Sequence, residues 1–278
     1  MARDELPDLV LSFTAEGTLR PIHRYLLVRT GRIVLTRIKI VTRSKGDDGK
    51  WITAGELAEQ LERDPQYRAR MAEVARRRQA IVDRNIQDAR PLLAQLAAQG
   101  FEIRMPADLF NRRLNYRAAI PTLLEWLPRI SNPDVKTDVA MALSVKWAKP
   151  AAIPVLVKEF ERAEDDLLRW AIANALEVVA DDSAFSAIAA WATDSRYGDA
   201  RQMLVLALGH MTDPAAFDVL VRLLNDETVA GHAVIAMGNL RDPRAKSAVE
   251  PFLTDQKKWI RDAARKAIKK IDAAGEVS

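Results

Sequence analysis

The chain has 278 residues, 49% of them hydrophobic and 29% charged, enough apolar material for a continuous core. It holds no cysteine, which excludes disulfides, thiol nucleophiles and cysteine-ligated zinc or iron–sulfur clusters. The formal charge of +4 is unevenly placed: residues 1–117 carry 22 Lys and Arg against 15 Asp and Glu, and residues 118–278 carry 20 against 23. A basic front and a near-neutral rear are the wrong distribution for a rear groove that grips duplex nucleic acid.

The first residues, Met1 to Asp8, lack the apolar stretch of a signal peptide. The longest apolar-rich piece, Ile33 to Val41, is interrupted by Arg37 and Lys39, so no membrane span is expected and a cytoplasmic location is. Residues 23–43 are rich in Val, Ile, Leu and Thr around a turn at Thr30-Gly31-Arg32, the composition of a β-hairpin. A lone hairpin is marginal in water. Residues 1–51 therefore read as a basic arm, either a short hairpin or a poorly ordered extension, ending in the polar linker Ser44–Lys50.

Residues 52–115 read as an N-terminal helical cap. Thr53 and Glu56 have capping-box spacing ahead of a short helix with Leu57 and Leu61 on one face. Asp64-Pro65 then opens a longer helix. Tyr67, Met71, Val74 and Ile81 make a helical stripe, continued with a shift by Ile86, Ala89, Leu93 and Leu96. Pro91 lacks an N–H, so a kink or break is expected near Arg90, and Gly100 is the expected C-cap. Arg76-Arg77-Arg78 point in three directions on a helix and are interleaved with Glu73, Asp83 and Asp88, which reads as a solvated face. Phe101 and Ile103 form a short extended piece, and Pro106 to Phe110 a helical turn.

From residue 116 to the end the chain repeats itself. Ala119-Ile120-Pro121 recurs as Ala152-Ile153-Pro154 after 33 residues, and the same place returns at Ala184-Phe185 and Ala216-Phe217. A period near thirty holding two helical patterns signals stacked helical hairpins. The predicted pairs are 117–129 with 133–146, 151–162 with 165–179, 183–193 with 197–210, 214–224 with 227–238, and 243–253 with 256–271. In the second helix of each pair, Lys136, Arg169, Arg201 and Arg261 stand seven residues before Leu143, Leu176, Leu208 and Ile268, while Ala230 breaks the series before Met237. Runs of alanine, such as Ala171, Ala173 and Ala175, allow close helix approach. The fold class is thus all-α: an α-solenoid of about five hairpins behind a helical cap.

The stretch from Leu208 to Asp272, with its two Asp-Pro turns and Ala-rich second helices, resembles the HEAT-repeat superfamily, in the short bacterial version named after the phycobilisome lyases. The resemblance spans roughly 118–272. It implies the fold firmly and leaves function open, because the superfamily holds scaffolds, lyase subunits, a hydroxylase and DNA glycosylases. The hydroxylase that builds hypusine needs His-Glu pairs for its iron site, and here His23, His210 and His232 are followed by Arg24, Met211 and Ala233. The glycosylase reading would use an aromatic residue and a carboxylate in the groove, with Trp170 beside Arg169 the best placed; a solenoid Trp is more often core filling.

No phosphate-cradling Gly-rich loop, no Gly-x-Ser-x-Gly and no metal-ligand spacing occurs, so neither catalytic residues, nor a metal, nor a cofactor is implied. The reading that remains is a non-enzymatic scaffold binding a protein or peptide on its concave face. Lys136, Arg169, Trp170, Arg201, His232, Arg261 and Arg265 are the candidate contacts. For the four register cations the competing reading is a ladder of bonds to acids such as Asp134, Asp166 and Asp199. The alternatives are nucleic-acid binding through the basic N-terminal third, and a bilin-lyase-like chaperone of a prosthetic group.

Overall fold

A computed structural model describes residues 44–45, 51–52 and 54–275. The hairpin expected over residues 23–43, and Thr53 of the capping box, lie outside them. The chain divides into two compact units, residues 1–84 and 85–278.

In the first unit, Ser44–Lys45 and Trp51–Ile52 pair antiparallel, with Ser44 opposite Ile52. Ser44 and Lys45, expected to lie in a plain polar linker, are therefore part of a strand pair. Helix α1 (Ala54–Arg63) and helix α2 (Pro65–Ala98) follow, α2 starting in this unit and ending in the next. Asp64 joins them: its N–H donates to Gln60 O at the end of α1, its carboxylate accepts from Gln66 N at 2.8 Å, and its carbonyl accepts from Arg68 N, so it ends one helix and caps the next ahead of Pro65.

The second unit begins with the last part of α2, where Ala89, Leu92 and Leu96 are buried. The break expected at Pro91 does not occur; α2 runs through it. Gln87, whose carbonyl loses its partner, is exposed to water, and the burial of Leu92 and Leu96 holds the next turn in place. Gly100 ends the helix as expected, at φ +89°. Phe101 N donates to Leu96 O and Gly100 N to Ala97 O, the paired bonds of a Schellman motif. A short helix α3 (Asp108–Asn111) completes the lead-in. This lead-in caps the first hairpin: Trp126 Nε1 donates to Gln95 Oε1 at 2.6 Å, and Asn132 Nδ2 to Asp88 Oδ2 at 2.7 Å.

Five hairpins follow among the described residues: α4 (Ile120–Trp126) with α5 (Pro133–Ala142), α6 (Ala152–Arg162) with α7 (Asp166–Val179), α8 (Phe185–Thr193) with α9 (Ala200–Leu208), α10 (Ala215–Leu223) with α11 (Ala230–Leu240), and α12 (Ala245–Val249) with α13 (Lys258–Gly275). The starts have local causes. Asn132 Oδ1 accepts from Asp134 N and Val135 N ahead of Pro133, and Asp165 Oδ1 accepts from Leu168 N. The expected α-solenoid is what forms: α5, α7, α9, α11 and α13 lie side by side in succession as one layer, and the first helices cover it.

Leu123, Leu143, Leu156, Leu176, Leu204 and Leu220 are fully buried between the layers, each contributing roughly 1.5–3 kcal/mol. Contact within the second-helix layer rests on smaller residues. Ala142, Ala175, Ala207, Ala236 and Ala267 hold one register position in all five units, and none is more than 2% exposed. Against two of them stand glycines. A Cβ on Gly209 would lie 2.7 Å from Ala236 Cα, and one on Gly238 2.5 Å from Ala267 Cα.

Gly238→Val should therefore cost about 1–3 kcal/mol through overpacking against backbone. Gly275→Ala, with nothing within 4 Å of the added methyl, should leave the denaturation midpoint unchanged. Equal midpoints for both variants would mean that the layer has room to spare.

Candidate functional site

The four register cations sit at or near the first turns of the second helices, and all four bond to the protein itself. Arg169 reaches back to the end of α6: Nη2 donates to Ala163 O at 2.7 Å and Nη1 to Asp166 Oδ1 at 2.7 Å, with the guanidinium 5.8 Å from the centre of the Tyr197 ring. Arg261 Nη1 donates to Asp255 O and Gln256 O, at 2.6 and 2.9 Å. Lys136 makes an ion pair with the buried Glu159 of α6, in the next unit. Arg201, 3% exposed, does both jobs. Its Nε donates to Ala192 O in α8 at 2.8 Å, while Nη1 and Nη2 cross to Thr228 Oγ1 and Asp226 Oδ2 in the turn before α11.

So the cations satisfy orphan carbonyls at first-helix ends, and two of them tie adjacent units. Of the acids expected in the ladder, only Asp166 pairs with its cation; Glu159 and Asp226 take the other places. The break at Ala230 now has a partner: the turn of the fourth unit is held by Arg201 of the third. Further ties join the units at their other ends, where Lys149 Nζ donates to Ala180 O and the Asp182 carboxylate accepts from Thr212 N and Asp213 N.

The second-helix layer has one face covered by the first helices and one open. On the open face, helical spacing lines up Trp170, Asn174 and Glu177 on α7, Gln202 and Leu206 on α9 with His210 beyond its end, and His232, Ile235 and Asn239 on α11. Each is half-buried except His210, which is exposed. Neighbouring helices are cross-linked here. Asn174 Nδ2 donates to Ser144 Oγ at 3.0 Å, His210 Nε2 lies 3.5 Å from Glu177 Oε1, and Lys270 Nζ donates to Asn239 Oδ1 at 2.7 Å. Lys270 is thus turned onto the array. Of the candidate contacts, Trp170 and His232 share this face. Arg265 is exposed on α13 and paired with Asp262 at 2.7 Å. The amides and Leu206 and Ile235 escape a reading centred on charge and aromaticity, although Gln202 stands one residue, Asn174, Leu206 and Ile235 five residues, and Asn239 nine residues after the register position.

The α11–α13 end of the face has its own electrostatics. The indole of Trp259, 47% exposed, lies over Gly231, where a Cβ would meet its ring at 2.1 Å, and its centroid is 5.6 Å from that of His232. Burial pushes the His232 imidazole down to about 4, with Asp199 opposing weakly. His232 is therefore neutral near pH 7, and its Nδ1 is buried with no hydrogen-bond partner among the described residues. At the other end, burial pushes Asp138 on α5 up to about 6; a hydrogen bond from the Ala107 backbone opposes the shift, and Asp134 and Asp108 add to it. Among the described residues no group of three or more His, Asp or Glu could hold a metal ion, and no helix is long and apolar enough to cross a membrane.

Two layers of successive helical hairpins with a continuous open face define a helical-repeat solenoid. The family model for HEAT repeats matches residues 153–231, which supports the likeness of this stretch to HEAT repeats. No curated protein matches the chain.

The cations can be ranked by what they hold. Arg201→Ala should cost about 3–5 kcal/mol, the range for breaking a buried charge pair. Arg169→Ala should cost less, and Arg265→Ala should fall within measurement error in urea denaturation. A neutral Arg201→Ala would remove the buried tie from the account.

The pH dependence has two opposed parts. Neutral His232 contributes stability that is full above pH 6.5 and is lost as pH falls toward 4. Protonated Asp138 contributes stability that is lost as pH rises from 3.8 through about 6. His232→Gln should abolish the first slope and Asp138→Asn the second, read from urea midpoints between pH 4 and 7. Unchanged slopes in both variants would refute the two assignments.

Proposed function

We propose that the chain is a non-enzymatic interaction module whose open second-helix face binds an extended segment of a protein partner. One observation carries this reading: on three adjacent helices, Trp170, Leu206 and Ile235 are partly uncovered among hydrogen-bonding amides. Aromatic and aliphatic anchors beside polar groups are what protein interfaces use. The amides of Asn174, Gln202 and Asn239 can meet the backbone N–H and C=O groups of an extended chain. A stack of hairpins supplies such a surface without any mobile loop. Lys136, Arg169, Arg201 and Arg261 serve it indirectly, by fixing where each second helix begins. Trp170, His232 and Arg265 are the candidate contacts that reach the solvent side.

Peptides selected from a displayed random library against the full chain test the reading. Trp170→Glu and Ile235→Glu should each weaken the selected peptides at least tenfold, with folding checked by circular dichroism. Arg244→Ala, on the turn before α12, should leave binding unchanged. Binding that survives both face variants would sink the reading. Retention of duplex DNA that falls steeply with salt and is lost in Trp170→Glu would favour the nucleic-acid alternative.

A further inference from the structure

Among the described residues of the first unit, one helix face has no cover. Between Glu59 and Arg84 no residue is buried, and Met71, Ile81 and Val82 are 41%, 42% and 44% exposed. A helix in a folded protein is normally stabilised by packing its apolar face, and a row of exposed apolar residues marks an interaction site.

The row is ordered in heptads. Tyr67, Val74 and Ile81 stand seven residues apart, as do Met71 and Arg78, with Val82 alongside. In heptad terms Tyr67, Val74 and Ile81 occupy d, and Met71 and Arg78 occupy a. Within α2 the g positions are Arg70, Arg77 and Arg84, arginine each time. Asp64, whose carboxylate accepts from Gln66 N, caps α2 and leaves Arg63 in α1. Arg77 is bonded to Glu73 at 2.7 Å. Arg70 and Arg84 make no ion pair among the described residues. Opposite, the e positions are Arg68, Ala75 and Val82, without an acid.

This charge pattern decides against a second copy of the chain. In an antiparallel pair g faces g, and arginine would meet arginine. In a parallel pair g faces e, and Arg70 and Arg77 would meet Ala75 and Val82. Neither orientation supplies a carboxylate. We infer that residues 65–84 form one strand of a heterologous coiled coil, and that the partner is an amphipathic helix with an apolar seam flanked by Asp or Glu at heptad spacing. Arg78 within the seam weakens the pair and fixes its register, the established role of a single polar a residue. Binding at this helix does not depend on the function proposed for the array face.

The probe is a synthetic four-heptad peptide with Leu at a and d and Glu at e and g, compared with its Lys counterpart. Fluorescence anisotropy with the full chain should show binding of the Glu probe, weakening as salt is raised, and at least tenfold weaker binding of the Lys probe. Met71→Asp with Ile81→Asp should reduce Glu-probe binding at least tenfold. Arg70→Glu with Arg77→Glu should reverse the preference between the probes, a result that loss of folding cannot produce. Four results overturn the inference: no binding of the Glu probe, equal binding of both probes, binding that survives the seam variant, or a full chain that sediments alone as a dimer lost in the Met71→Asp, Ile81→Asp variant.

Discussion

The array depends on how closely its second helices approach. Ala142, Ala175, Ala207, Ala236 and Ala267 leave no side chain to hold neighbouring backbones apart, and Gly209 and Gly238 bring two of the contacts near backbone distance. The larger side chains are thereby pushed to the two flanks of the layer. Those facing the first helices become the leucine core. Those facing away, such as Trp170 and Ile235, have nowhere to bury fully, and they become the surface available to a partner. The same spacing brings Arg201 within reach of Asp226 and Lys136 within reach of Glu159. A wider layer would lose the ties and the face together.

Much of this architecture was legible in the residues. Repetition at a fixed interval, Asn or Asp at helix starts and alanine in the second helices are local signals, and local signals set where helices begin. Pro91 misleads because the local rule competes with burial two turns long: Leu92 and Leu96 are held in a core, while the carbonyl that loses its bond faces water. The cation register is plain in the sequence, yet its partners are not. Glu159 and Asp226 lie 23 and 25 residues beyond Lys136 and Arg201, and only the hairpin stack selects them over the nearby Asp134 and Asp199. His232 is a similar case, since its depressed basicity comes from burial at the end of the layer that Trp259 of the following unit helps to form. The cluster Arg76-Arg77-Arg78 reads as a solvated face in the sequence; the seven-residue spacing of Arg70, Arg77 and Arg84 gains meaning only beside the apolar row that the structure leaves exposed.

The two surfaces differ in chemistry. The array face mixes indole, aliphatic groups, amides, the carboxylate of Glu177 and an uncharged imidazole, suited to backbone and side-chain contacts with modest charge. The helix of the first unit is cationic along its apolar row and suited to a partner that is itself helical and acidic. A chain carrying both can engage two segments by different physics, one nearly insensitive to ionic strength and the other sensitive.

Arg201 makes the units unequal. The third lends the fourth a guanidinium that the fourth, with Ala230, cannot furnish. Such a loan fixes the order of the repeats as firmly as a covalent link would. Tandem proteins can lengthen or shorten by copying or losing whole modules, but here excision of the third would strand Asp226 and Thr228, and a duplicate of the fourth would face a neighbour with nothing to give. The boundary between these two modules is therefore closed to the recombination that builds repeat arrays, whereas the Gly238–Ala267 junction, held by shape and by the Lys270–Asn239 hydrogen bond at its face with no buried guanidinium on loan, is more open to it.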